Sequence, residues 1–173
     1  MANTLYIMCG PAGCGKSTFI KVFANKISKG CATVSRDEIR FKTLSETDNY
    51  FAKENEVFNM YAAVIANELK HCDVFADSTC CTKGSRKKLI NAVKKHNKNF
   101  KVSVIYFFDD DVDYIIQKCI NQNNLRKGRA KVPEDVIKNM CKNFQIPDET
   151  ENFVSIINGY EYMKNYFKKG SEN

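Results

Sequence analysis

The chain has 173 residues, 43% of them hydrophobic and 27% charged, with a formal net charge of +7. That length suits one domain with a proper core, and the ordinary composition argues against a disordered or fibrous chain. No run approaches the roughly 20 apolar residues of a membrane helix, and residues 1–6 lack the basic start and apolar stretch of a secretory leader, so a cytoplasmic protein with no membrane contact is expected.

In chain order, residues 4–9 form an unbroken apolar run, as in a strand buried on both faces of a parallel sheet. Residues 16–27 place Phe19, Ile20, Phe23 and Ile27 at helical spacing, and 32–35 read as a short strand. A helix over 51–69 puts Phe58, Tyr61, Ala62, Ile65 and Leu69 on one face. Val74, Phe75 and Ala76 make a short strand that stops at Asp77. Residues 85–96 predict a basic amphipathic helix over Leu89, Ile90 and Val93, 101–108 a strand, and 111–123 a helix with Tyr114, Ile115, Cys119 and Ile120 inward.

Residues 124–133 have no apolar period and read as a loop. Pro133 at a first helical position, with Glu134 and Asp135 at the positive end, opens another helix. A last strand over 153–157 and a helix over 160–167 follow. Strands alternating with helices predict an α/β chain, a single three-layer domain over 1–173 with a parallel sheet of about five strands.

The eight cysteines include no C-x-x-C pair, and there are two histidines, so a metal cluster or disulfide framework is not expected. Scattered cysteines without a leader read as reduced thiols, several in small core positions. Cys14 lies within a glycine-rich loop and is a candidate oxidation-sensitive position.

That loop, Gly10-Pro11-Ala12-Gly13-Cys14-Gly15-Lys16-Ser17, matches G-x-x-x-x-G-K-[ST] in full, between a predicted strand and a predicted helix. Its glycines let consecutive amides turn toward phosphates at a helix N-terminus, Lys16 reaches the β- and γ-phosphates, and Ser17 supplies an oxygen to Mg²⁺. No N-K-x-D guanine motif follows, which leaves ATP as the expected nucleotide.

Ser35-Arg36-Asp37-Glu38-Ile39-Arg40 comes directly after the second predicted strand, whose carboxyl end faces the ligand crevice of a parallel sheet. Asp37 there can accept a proton from an attacking hydroxyl, and Arg40, one helical turn on, can hold an anionic acceptor group. The competing reading is an N-cap aspartate beside a solvated arginine. Asp77-Ser78-Thr79 ends the third strand, where Asp77 can hold Mg²⁺ and Thr79 can donate to an acceptor phosphate; a plain turn is the alternative. In the basic loop around Gly128, Arg126 or Arg129 can close over the triphosphate, making residues 124–132 a lid.

Taken together and in this order, the four segments resemble the P-loop polynucleotide kinases, over roughly residues 4–145. The resemblance implies a phosphate and Mg²⁺ site formed by residues 10–18, including Gly10, Gly13, Cys14, Gly15, Lys16, Ser17 and Thr18. It implies Asp37 as general base for a 5′-hydroxyl, Arg40 on the acceptor's 3′-side phosphate, Asp77 and Thr79 on the acceptor side, and Arg126 as the lid arginine. The expected activity is transfer of the ATP γ-phosphate to the 5′-hydroxyl of RNA or DNA, and the basic balance agrees with a polyanionic substrate. The phage member of the family carries a second, phosphatase domain, and no D-x-D-G-T-x segment is found here, so a separate phosphatase or ligase chain is expected. Two rival readings keep the fold: a small-molecule or nucleoside kinase, and an ATP-gated binding module of a repair assembly.

Overall fold

The computed structural model describes residues 2–45, 47–50, 52–128 and 131–170. Five parallel strands form one sheet in the order β2-β3-β1-β4-β5. They are β1 (Thr4–Cys9), β2 (Ala32–Ser35), β3 (Val74–Asp77), β4 (Lys101–Tyr106) and β5 (Ile156–Asn158). The helices are α1 (Lys16–Ile27), α2 (Arg36–Thr43), α3 (Glu54–Glu68), α4 (Lys83–Lys94), α5 (Val112–Asn124), α6 (Glu134–Lys142) and α7 (Gly159–Gly170).

β1 is central and pairs with both β3 and β4. Its side chains alternate between two cores, which explains its unbroken apolar sequence. Leu5, Ile7 and Cys9 join Val74, Ala76 and Val104 under α3 and α4. Met8 joins Phe75 and Ile105 under α1, α5 and α6, with Tyr160, Tyr162 and Met163 of α7 packed against them. The result is the expected α/β arrangement: helix, sheet and helix layers with five strands.

Local chemistry sets most boundaries. Ser35 caps α2, its hydroxyl accepting from the Glu38 amide, so Asp37 lies inside the helix and is not its N-cap. α4 begins earlier than periodicity alone suggests, because Thr82 and Ser85 form a reciprocal capping box. Pro133 stands one residue before α6 with ψ 141°, extended rather than helical.

The apolar stripe of α5 is Ile115, Cys119 and Ile120, with Asn123 buried beside it. Tyr114 falls off that stripe and is 55% exposed, which corrects its expected inward position. The last strand is shifted toward the C-terminus: Phe153 packs on the core from a loop, although Val154 already donates to the Val102 carbonyl. The helix expected to begin at 51 starts at Glu54, and Phe51 lies outside the described residues. Among the described residues no helix is long and apolar enough to cross a membrane.

Candidate active site

Strand order gathers the motifs. β3 lies between β1 and β2, so the carboxyl ends of β1, β3 and β2 carry the glycine loop, Asp77 and Asp37 side by side. The loop is tied to the third motif where the Gly10 amide donates to the Thr79 carbonyl at 2.8 Å. Gly13 has φ +87°, and a Cβ there would stand 2.4 Å from the Cys119 carbonyl oxygen, so glycine is required for both conformation and space.

α1 has no side-chain cap and no acid in its first turn, whereas Ser35, Thr82 and Asp111 cap α2, α4 and α5. Its first amides are therefore available to an anion at the positive end of a helix dipole.

The Lys16 ammonium lies against the Gly10 and Pro11 carbonyls at 2.9 and 2.8 Å and is 7% exposed. Burial works against its charge, but the Cys14 sulfur and the Asp77 carboxylate more than offset this, so its pKa sits above the ordinary lysine value. Cys14 is 1% exposed, and burial pushes its thiol up although Lys16 pulls the other way. This corrects the expectation of an oxidation-sensitive residue, since a reactive thiol is exposed and acidic.

The Ser17 hydroxyl donates to Asp77 Oδ2 at 2.7 Å. A hydroxyl and a carboxylate side by side at the mouth of the phosphate loop form an all-oxygen set, which fits Mg²⁺ completed by phosphate and water.

Across the cavity from the glycine loop, Asp37 sits in a network of charged groups. Asp37 Oδ1 accepts from Arg40 and from the Tyr50 hydroxyl, each at 2.7 Å. Arg40 also donates to Tyr50 at 2.9 Å and to Glu54 at 2.7 Å, with its guanidinium 4.4 Å from the Tyr50 ring centre. Glu54 reaches Arg36 with its other oxygen, bridging both arginines. Burial, then the Arg40 charge, lowers the Arg36 pKa. Burial and the bond to Asp37 push Tyr50 up to about 12. Arg40 is 5% exposed and held under these carboxylates, so Arg36 is the more accessible cation.

Lys16, Ser17, Asp37, Arg40, Asp77 and Thr79 all line one cavity of about 420 Å³, together with Arg126. A smaller hollow of about 170 Å³ adjoins it, lined by Gly13, Gly15, Thr18, Gln122 and again Arg126. Arg126 thus stands where the two spaces meet. Buried Asn123 closes the base of its loop, donating to the Val132 carbonyl and accepting from the Val132 amide. Arg129 lies outside the described residues.

Tyr50, Glu54, Gln122 and Tyr160 are neighbours that sequence reading misses. Tyr160 donates to the Cys14 carbonyl at 2.9 Å from α7, far along the chain. Only the acid at the start of a helix, Glu54, carried a local signal. Arg86, which follows the third motif, is fully buried and bonded to Glu151 at 2.8 and 2.6 Å, so it braces the loops rather than facing the cavity.

Residues 5–147 match the model of an AAA domain family, AAA_33. Among solved structures, a chain of a Pnkp1/Rnl/Hen1 RNA repair complex superposes with TM-score 0.63 at 21% identity, over 82% of this chain and 44% of that one. This chain therefore spans less than half of that relative. A fungal RNA kinase superposes with TM-score 0.57 at 13% identity, over 90% and 73% of the two chains. A gluconokinase from Sinorhizobium meliloti gives 0.52 at 12% identity, over 90% and 81%. At these identities the likeness carries the fold, and the neighbours span nucleic-acid and small-molecule kinases alike. With its complete phosphate loop, parallel sheet and family match, the chain is a P-loop domain that belongs to the AAA domain family AAA_33.

Proposed function

We propose that the chain is an ATP-dependent polynucleotide kinase that phosphorylates 5′-hydroxyl ends. The carrying observation is that Asp37 and the Lys16–Ser17 phosphate site line one cavity, with two arginines on its acceptor side. A small acceptor needs one proton-accepting group; a paired Arg36 and Arg40 beside it suits an acceptor that brings its own phosphate.

In this reading the acceptor hydroxyl gives its proton to Asp37. Both bonds that Asp37 accepts fall on Oδ1, so Oδ2 is the oxygen that takes it. The hydroxyl oxygen bonds to the γ-phosphorus in line as the bond to the β-phosphate oxygen breaks, and ADP leaves with the electron pair. The first amides of α1 and Lys16 hold the triphosphate. Arg126 neutralises charge that develops on the transferring group, with residues 124–132 as lid. Ser17 and Asp77 would hold Mg²⁺, which when bound neutralises phosphate charge. Arg40, positioned by Glu54, and Thr79 orient the acceptor, and the proton passes from Asp37 to solvent after ADP departs. We place this domain in the cytoplasm, working beside phosphatase or ligase partners; one structural neighbour is a chain of an RNA repair complex.

A small-molecule acceptor is the second reading, because a 420 Å³ cavity is within the range of metabolite pockets. The test is transfer from γ-labelled ATP with Mg²⁺ to 5′-hydroxyl RNA, 5′-hydroxyl DNA, a nucleoside 3′-monophosphate and a panel of sugars and polyols, with Lys16→Ala as control. Label on the oligonucleotides that the control loses is the expected result. Label on a polyol alone would overturn the polynucleotide assignment.

A further inference from the structure

A second cavity, of about 510 Å³, lies between α3 and α4, outside the site described above. Asn55 and Phe58 of α3 line one wall, and Lys87, Lys88, Asn91 and Lys95 the other. Every charged side chain that lines it is positive. Lys83 and Arg86 of the same helix are tied to Asp148 and Glu151, whereas among the described residues Lys87, Lys88 and Lys95 have no such carboxylate.

This groove lies beside the acceptor cavity. Glu54 lines the one and its neighbour Asn55 the other. The half-buried Phe58 ring sits between them, with the Arg36 guanidinium 5.4 Å from its centre and the Lys88 ammonium 4.9 Å. Arg36, paired with Glu54, faces the acceptor cavity and Lys88 the groove, with the Phe58 ring between them.

The helix N-termini lie at the carboxyl edge of the parallel sheet, where the active site is. The groove therefore leads away from the site along α4. Residues 88, 91 and 95 repeat on one helical face, and from 84 to 95 the helix advances about 17 Å at about 1.5 Å per residue.

We infer that this groove holds the single-stranded nucleic acid that trails behind the phosphorylated end. The inference rests on the polynucleotide kinase reading and extends it to how the strand is held. An acceptor longer than one nucleotide must leave the 420 Å³ cavity. A lysine-lined exit offers neutralisation of the backbone along the strand, the sequence-independent contact that single strands use. A protein partner is less well matched, because the charged walls are all lysine and a nucleic-acid strand carries the complementary charge at every backbone unit.

The test uses the full chain and the variant Lys87→Ala, Lys88→Ala, Lys95→Ala, all exposed positions outside the catalytic machinery. Binding of 5′-hydroxyl dodecauridylate is followed by fluorescence anisotropy over a salt series, beside transfer to dodecauridylate and to uridine 3′-monophosphate. The variant should bind dodecauridylate more weakly by on the order of tenfold. Its slope of log affinity against log salt should be flatter by about 2, from about 0.7 for each of three lost contacts. Its transfer to uridine 3′-monophosphate should match wild type. Unchanged affinity and slope would overturn the groove assignment even if transfer to oligonucleotides proceeds. Equal displacement by polyglutamate at matched charge would overturn it in favour of an acidic protein. Lysine-dependent binding without any transfer would leave the groove standing and defeat the kinase reading instead.

Discussion

Replacing Asp37 by asparagine separates proton transfer from bracing. Asp37 Oδ1 accepts from Arg40 and Tyr50, each at 2.7 Å, and the side chain is 54% exposed. An asparagine oxygen can still accept from both. Arg40 keeps Glu54 at 2.7 Å, so the loss of one half-exposed ion pair costs up to about 1 kcal/mol of stability. The amide cannot take a proton, and removal of a positioned base slows transfer about 10²- to 10⁴-fold. At about 1.36 kcal/mol per tenfold, that is about 3–5 kcal/mol of barrier, well above the stability loss. Transfer to a 5′-hydroxyl oligonucleotide gives kcat and KM, and urea unfolding gives stability. The expected pattern is a fall in kcat with the KM for ATP unchanged, because Asp37 lies outside the phosphate loop. Glu38→Gln, one residue on, should leave kcat unchanged. A kcat loss under tenfold, with stability lowered by several kcal/mol, would show that Asp37 only braces Arg40 and would refute the base assignment.

Tyr50 ionises at about 12, pushed up by burial and by its bond to Asp37. Its folded pKa exceeds the ordinary 10.0, so its contribution to stability is full below about pH 10 and lost between about 10 and 12. Phenolate absorbance of wild type minus Tyr50→Phe should show one group titrating near 12; a difference transition at 10 would remove Tyr50 from the network. Arg86→Ala strands Glu151, which is 11% exposed, and leaves the Gln145 carbonyl without its donor, so urea unfolding should show a loss of about 3–5 kcal/mol. The pair change Arg86→Met with Glu151→Met should restore part of that loss, and no recovery would mean that the packing of the stem, not the charge, holds these loops.

The parts of this protein that sequence alone determines are those governed by near neighbours. The strand 4–9, the helix 16–27 and the strand 32–35 were legible because backbone hydrogen bonding and burial repeat over a few residues. So was the phosphate loop, since its glycines answer to local turns. Where the period was ambiguous, packing decided: Tyr114 has the spacing of an inward residue, yet the stripe that docks on the sheet passes through Ile115 and Cys119 and leaves it outside. The site is another matter. Residues 17 and 77 touch only because β3 is inserted between β1 and β2. Tyr50, which has no motif around it, meets both Asp37 and Arg40, residues 13 and 10 positions earlier in the chain. Tyr160 reaches the Cys14 carbonyl only after β5 closes the sheet and returns α7 to the phosphate loop. Contacts between residues far apart in the chain depend on strand order and helix docking, which follow from burying both faces of the sheet at once and not from any local pattern.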